Sequence, residues 1–306
     1  MLFPPALSSA FVSFDERFAD ALGARPSLRR LVATDAHEGP VYVPAEDALY
    51  FTTARGPGDP PRVAVRRLDL TTGEVDTVVA DCGAANGMTL APDGRRLLVC
   101  EQGGMRERAR ISVLDPASGA RETLVDAVDG LPLNSPNDIV VGPDGAIWFT
   151  DPSYGHLQGF RPAPQLADAV RRANPATGVA TTVAVGFDHP NGLCFSPDGT
   201  RLYVTDSGAP RHVVAFDVAA PGRLGARRAA FAPTAGEPDG LKADAAGRLY
   251  CSSAFGVQVF DPDGTLLGEI RLPGAVNFAF GGTDRDVLFI TTDAAVWAAA
   301  LTTKGA

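Results

Sequence analysis

The chain has 306 residues, 45% of them apolar, with 36 acidic against 27 basic side chains and a formal net charge of −9. A chain this long can bury about three quarters of its unfolded surface, so it needs no disulfide or metal merely to have a core. The acidic balance speaks against nucleic acid or an anionic membrane as partner, since both need basic surface, and no apolar run reaches the roughly 18 residues of a membrane span.

The opening residues, MLFPPALSSAFVSFDERF, have no basic region and meet acidic side chains early. They do not read as a secretory signal, and a cytoplasmic location is expected. Residues 1 to about 28 are expected to form an arm, followed by a strand over RRLVATD, Arg29 to Asp35. Six similar segments then follow. They are EGPVYVPAEDALYFTT from Glu38, NGMTLAPDGRRLLVCEQG from Asn86, NDIVVGPDGAIWFTDPSYG from Asn137, NGLCFSPDGTRLYVTDSG from Asn191, DGLKADAAGRLYCSSAFG from Asp239 and NFAFGGTDRDVLFITTDA from Asn277. Each has an oxygen-bearing residue, a short apolar run, a turn rich in Pro, Asp and Gly, and a second apolar run, which is a β-hairpin.

The starts lie 48, 51, 54, 48 and 38 residues apart, near the roughly 40 to 50 residues of a four-stranded propeller blade. The two further strands that a blade needs are legible after four of the hairpins: RVAVRRLDL and VDTVVA, ARISVLD and RETLVD, HVVAFDV and RRAAFA, VQVFDP and LLGEIRL. Turns such as DLTTG and DPASG join them. After the sixth hairpin only AVWAAAL remains, so the blade starting at 277 lacks a strand that Arg29 to Asp35 can supply. The expected fold is all-β: one six-bladed β-propeller domain over 1–306, with four-stranded antiparallel blades starting near 38, 86, 137, 191, 239 and 277 and the ring closed by an N-terminal strand. A tandem β-sandwich also has regular strands and turns, but does not predict six in-register hairpins with a matched first residue.

The first strand of a blade lines the central channel, so Glu38, Asn86, Asn137, Asn191, Asp239 and Asn277 are expected at one depth around the axis. All six offer an oxygen. Two carboxylates with amide carbonyls suit a hard divalent cation, Ca²⁺ first, whereas zinc would favour Cys or His; Zn²⁺, Mn²⁺ or Mg²⁺ could replace it in such a cage. A wet polar tunnel would also be lined with polar residues, but the absence of Ser, Thr, Gln or Lys from the ring, and of a cation beside its carboxylates, favours a metal. The ends of the second strands should surround the ring and form a pocket. Glu101, Asp206 and Tyr154 fall there, as does an insertion from Pro152 to Gln165 expected to act as a wall or lid. The PDG turns at Asp93, Asp144, Asp198 and Asp263 lack the spaced carboxylates of a calcium loop. No nucleophile elbow, P-loop or dinucleotide fingerprint is present. His37 and His189 stand one or two residues before a ring position; His156 and His212 have no ligand spacing. Cys82, Cys100, Cys194 and Cys251 are far apart in sequence and read as buried free thiols.

The segments HEGPVYVP, AANGMTLAPDGRRLLVCEQ, LNSPNDIVVGPDGAIWFTDPSYG, HPNGLCFSPDG, EPDGLKADAAGRLY and NFAFGG with LFITT, in this order, resemble the SMP-30/gluconolactonase/LRE family of calcium-dependent propeller lactonases, from about Asp15 to Leu301. NSPND with FTDPSYG is similar to the microbial gluconolactonase and fungal lactonohydrolase branch. The resemblance implies metal ligation by Glu38, Asn137, Asn191 and Asp239, with Asn137 in some members reaching the metal through water. It implies hydrolysis of a small-molecule lactone, an aldonolactone such as glucono-1,5-lactone or a hydroxy-lactone such as pantoyl lactone, with Asp239 as general base or as ligand alone. Asn86, Glu101 and Tyr154 are the expected substrate contacts, in a monomer or small homo-oligomer. Phosphotriester hydrolysis on the same cage, and a non-catalytic calcium-stabilised binding propeller, are the competing readings; strictosidine synthase-like condensation fits an intact cage less well. The chain departs from the family pattern at three places: Ser135 stands where animal relatives have an arginine, Gln102 where bacterial gluconolactonases have the histidine of CEH, and TTARGPGDPP replaces an SDIP-like turn.

Overall fold

A computed structural model describes residues 8–306; the start of the expected arm lies outside the described residues. Each blade is an antiparallel sheet, ordered from the axis outward. Blade 1 contains Glu38–Val43, Ala48–Thr52, Val65–Asp69 and Val75–Val79. Blade 2 contains Ala85–Leu90, Leu97–Glu101, Arg110–Leu114 and Arg121–Val125. Blade 3 contains Ile139–Val141, Ile147–Asp151, Ala169–Ala173 and Ala180–Val185. Blade 4 contains Pro190–Phe195, Arg201–Asp206, His212–Ala220 and Arg228–Phe231. Blade 5 contains Leu241–Ala243, Leu249–Ser253, Gly256–Phe260 and Leu266–Arg271. Blade 6 contains Ala275–Gly281, Val287–Thr292 and Ala295–Ala300, and Ser27–Ala33 pairs against its last strand, so the N-terminal strand closes the ring. The outer strands of blade 3, not singled out in the sequence, follow the insertion after Asp151 and are joined by an NPATG turn.

The described part of the arm, ahead of Ser27, is bound to the outer edge of blade 5. Phe11–Ser13 adds a fifth strand there by pairing with Leu266–Arg271. The chain then turns through Glu16–Phe18 and Ala19–Leu22, with the Asp15 carboxylate accepting the Arg17 N–H at 2.9 Å. Phe18 is fully buried, and it packs where Gly268 leaves room: a Cβ at that glycine would overlap the Phe18 ring.

The core is divided among the seams between blades. Val43, Tyr50 and Val99 pack between blades 1 and 2; Cys100, Ile139 and Phe149 between blades 2 and 3; Trp148, Leu202 and Val214 between blades 3 and 4. Tyr203, Leu241 and Phe260 fill the seam of blades 4 and 5, Tyr250, Phe278 and Leu288 that of blades 5 and 6, and Leu49, Phe51 and Phe289 that of blades 6 and 1. Six blades in a closed ring make six such seams, each burying apolar side chains worth roughly 1.5–3 kcal/mol apiece. All four cysteines are free and buried in this packing. Among the described residues no helix is long and apolar enough to cross a membrane.

Candidate functional site

The innermost strands of four blades carry an irregularity at the ring position. The register shifts between Glu38 and Val41, Ala85 and Met88, Pro190 and Leu193, and Ala275 and Phe278. A bulge turns a side chain out of the regular alternation, and here it falls at or beside Glu38, Asn86, Asn191 and Asn277. In blades 3 and 5 the ring residue follows a proline and precedes the strand. Asn137 donates its N–H to the Thr150 carbonyl at 2.9 Å, and Asp239 donates its own to the Ser252 hydroxyl at 3.0 Å. Glu38, Asn86, Asn137, Asn191 and Asn277 are buried; Asp239 is the most open of the six.

Direct contacts tie neighbouring ring positions together. Asn86 Nδ2 donates to the Asn137 carbonyl at 3.3 Å, and Asn277 Nδ2 donates to Glu38 Oε2 at 2.8 Å. The Gly87 N–H donates to the Asn137 carbonyl at 2.8 Å and the Gly192 N–H to the Asp239 carbonyl at 3.1 Å. The amide of Asn277 is engaged at both ends, because its Oδ1 also accepts the Phe278 N–H at 2.8 Å. It thereby orients Glu38. Asn191 Nδ2 reaches the Tyr154 hydroxyl at 3.4 Å, so the insertion between the second and third strands of blade 3 arrives above the ring through its short helix Tyr154–Leu157. Tyr154 in turn stacks on His189 with ring centroids 5.3 Å apart.

The electrostatics of this ring are unbalanced. Burial, then the negative charges of Glu38 and Asp138, push the Asp239 carboxyl well above the usual carboxylate range. Burial also raises Glu38; Asp138 adds to this, against a lowering pull from His37. Neither carboxylate forms a salt bridge with a Lys or Arg side chain among the described residues. No three His, Cys, Asp or Glu side chains gather there in a metal-binding cluster either, so any cation must draw on amide oxygens as well. Two repelling carboxylates together with the side-chain oxygens of Asn137 and Asn191 would make such an oxygen-only set, which suits a hard divalent ion. The residues present therefore fit the group that the ring composition calls for.

Asp138 was not anticipated from the sequence, and the places where the chain departs from the family pattern also gather here. Asp138, directly after Asn137, is buried in the channel and pairs with Lys242 at 3.4 Å. It replaces the glycine that follows the ring residue in blades 1, 2, 4 and 5. Arg55 and Gln102 meet at the mouth, with Arg55 Nη2 donating to Gln102 Oε1 at 3.1 Å. Ser135, in the place of the animal arginine, is buried and holds the insertion: its hydroxyl donates to the Pro152 carbonyl at 2.7 Å and accepts the Gly155 N–H at 2.9 Å.

Glu101, expected as a substrate contact, is 1% exposed and is engaged by side chains of its own blade. There Arg110 and Arg121 reach its Oε2 at 2.6 and 3.0 Å, and the Ser112 hydroxyl donates to its other oxygen. Asp206 is held similarly, by Arg227 at 2.9 Å. His37 leans outward onto Asp293 at 2.7 Å, whereas His189 backs Tyr154. A cavity of about 290 Å³ joins the ring to the solvent, lined by Tyr154, Asn191, Ser207, Glu237, Asp239 and Ser253. A larger one of about 650 Å³ opens at the other end of the innermost strands; it is mostly apolar, with Val41, Met88, Ile139 and Phe280 in its wall, and holds none of the six ring residues.

Comparison with known proteins agrees with this architecture. Residues 36–294 match the SMP-30/gluconolactonase/LRE-like region. The lactonohydrolase oryL of Aspergillus oryzae is 31% identical, over 94% of this chain and 73% of its own length. The gluconolactonase of Zymomonas mobilis is 32% identical, over 78% of this chain and 71% of its own. The solved structure of a Xanthomonas campestris gluconolactonase superposes with a TM-score of 0.84 at 35% identity, covering 98% of this chain and 99% of that one. With its ring of oxygen donors and its six closed blades, the chain belongs to the SMP-30/gluconolactonase/LRE-like family.

Proposed function

We propose that the protein hydrolyses small-molecule lactones, with Glu38, Asn137, Asn191 and Asp239 holding one divalent cation, Ca²⁺ first. The observation that carries this reading is the pair of repelling carboxylates, Glu38 and Asp239, turned into a ring of amide oxygens with no Lys or Arg in salt-bridge contact with either among the described residues. The named lactonases among the relatives supply the reaction class. When bound, a divalent cation polarises the ester carbonyl and stabilises the negative charge that develops on its oxygen.

The chain's own residues do the rest. Asp239, the most open ring member, has a raised proton affinity, as a base accepting a proton from attacking water requires. The water oxygen forms a bond to the carbonyl carbon, the ring C–O bond breaks, and the proton passes to the departing alkoxide, leaving a hydroxy acid. Asn277 and the Gly39 N–H, both on Glu38 Oε2, leave its other oxygen for the axis. Asn86 and Tyr154 are the side chains placed to meet substrate hydroxyls, Asn86 through Oδ1 because its Nδ2 is bound to the Asn137 carbonyl.

The test is acid release by chelated protein, with and without added Ca²⁺, on glucono-, galactono- and pantoyl lactones and one phosphotriester. Calcium-dependent lactone turnover is expected, and Asp239→Ala should lower it by at least about 10³-fold, since that change removes a ligand and a base together. Absence of lactone turnover by folded, metal-loaded protein would overturn the reading.

A further inference from the structure

The segment TTARGPGDPP after the first hairpin and Gln102 at the end of the second are two of the places where the chain leaves the family pattern, and they touch each other. Arg55 stands three residues beyond Thr52, which pairs with Glu38 across blade 1. Gln102 follows Glu101, which pairs with Ala85 beside Asn86, and its N–H is fixed on the Ala84 carbonyl at 3.1 Å. Both side chains therefore rise from the ends of strands that pair with those carrying ring residues. Besides Gln102, the Arg55 guanidinium donates to Gln158 and lies over the Phe160 ring, 5.1 Å from its centroid; both belong to the insertion above the ring.

Two features of this cluster are unspent. Each hydrogen-bond partner that Arg55 has is a neutral amide, and among the described residues it forms no salt bridge. The residue is exposed at the mouth, and its charge is felt at the ring by Glu38 and Asp239. With a divalent cation between those two carboxylates, and with Asp138 already paired to Lys242, Arg55 is left as a cation without a counter-charge. Independently, Gln102 is fully buried and its Nε2 has no hydrogen-bond partner, one of four such side-chain atoms among the described residues. A buried donor without an acceptor is costly to maintain. An unneutralised guanidinium and an orphaned amide donor on adjoining side chains are complementary to a planar anion.

We propose that Arg55 and Gln102 form a carboxylate-binding subsite at the mouth of the ring, so that the preferred lactones carry a free carboxylate away from the ester. This rests on the lactonase reading above. The reacting ester lies over the ring, and the distal carboxylate replaces the missing counter-charge of Arg55.

Glucono-1,4-lactone and glucaro-1,4-lactone test it, because they differ only in a hydroxymethyl group against a carboxylate at the distal carbon. Wild-type protein should show kcat/KM about 10-fold or more in favour of the glucaro compound. Arg55→Gln should lower that value by about 30-fold, chiefly through KM, and change the neutral lactone less than about threefold. Arg55→Lys should recover part of the difference, since charge is kept and the fork is lost; thermal unfolding of each variant verifies the fold. Equal losses on both lactones would make Arg55 a latch between loops and overturn the subsite, as would a wild-type preference for the neutral compound. If neither lactone is turned over, calorimetry with glucarate and gluconate decides the subsite separately, while the wider panel above decides the lactonase reading. Tighter glucarate binding that Arg55→Gln abolishes supports it; equal binding of the two acids overturns it.

Discussion

Glycine after the ring residue sets how closely the blades meet at the axis. A Cβ on Gly87 would lie 2.5 Å from the Asn137 carbonyl oxygen and 2.7 Å from the Asp138 Cα, both backbone atoms that cannot swing aside. At Gly240 the obstacle is Asn277, whose Cα is 2.9 Å away. The recurring NG and DG pairs carry no local sign of this role, because each glycine's packing partner belongs to another repeat. Gly87→Ala should therefore displace Asn137 without removing any donor. The expected result is about 1–3 kcal/mol of lost stability from overpacking, measured by denaturant unfolding, with a fall in calcium affinity measured by calorimetry. An unchanged affinity would mean that Asn137 is no ligand, or that it reaches the metal through water.

At the level of the strand, the acidic residues ending the second strands of blades 2, 3 and 4 share one task. Glu101 holds Arg110 and Arg121; Asp206 holds Arg227 and accepts the Asp188 N–H at 2.9 Å. Asp151 holds Arg171 at 3.2 Å and accepts the N–H groups of Asn134 and Ser135, although burial pushes its carboxyl up to about 6. Each carboxylate joins the outer strands of its blade, and in blades 3 and 4 also grips the loop that delivers the ring residue. Strand order and ring closure by the N-terminal strand were legible because hairpin turns and apolar alternation are local. The direction of Glu101 was not, since a residue ending a strand can face the axis or the neighbouring strand, and its arginine partners lie 9 and 20 positions on. Arg161 escaped notice for the same reason: it is buried in the insertion and donates to the carbonyls of Leu133, Asn134, Gly104 and Glu107, fastening the insertion to blade 2. Glu101→Gln should destabilise the fold by about 2–3 kcal/mol, less than the 3–5 of a fully buried pair because both arginines reach water. Its KM for any lactone that is hydrolysed should stay within about twofold. A stable variant with a strongly raised KM would return Glu101 to the substrate site.

Over the whole molecule, ring closure concentrates six strand ends on one axis, and the two carboxylates brought there repel. No blade can relieve this by moving outward, because each is packed on both sides by a seam and the first and last strands are zipped together in blade 6. Without metal, the raised proton affinities of Glu38 and Asp239 mean that the folded chain holds protons that the unfolded chain releases. Unfolding then sheds protons between the ordinary carboxylate range and the raised values, so the metal-free fold loses stability as pH rises through that window. A divalent cation displaces the same protons, and its affinity strengthens as pH rises. The gap between calcium-loaded and chelated protein should therefore be small near pH 5 and widen toward pH 8. At calcium about 100 times its dissociation constant the stabilisation is about 2.7 kcal/mol, or an unfolding midpoint raised by about 4 °C for a chain of this size. Glu38→Gln should flatten the pH dependence of the chelated protein and narrow the gap at pH 8, since it removes one titrating group and one charge of the cage together. A gap independent of pH in the wild-type protein would show that the cation does not compete with protons at these carboxylates, and the ring would have to be read as a polar lining held by its amides alone.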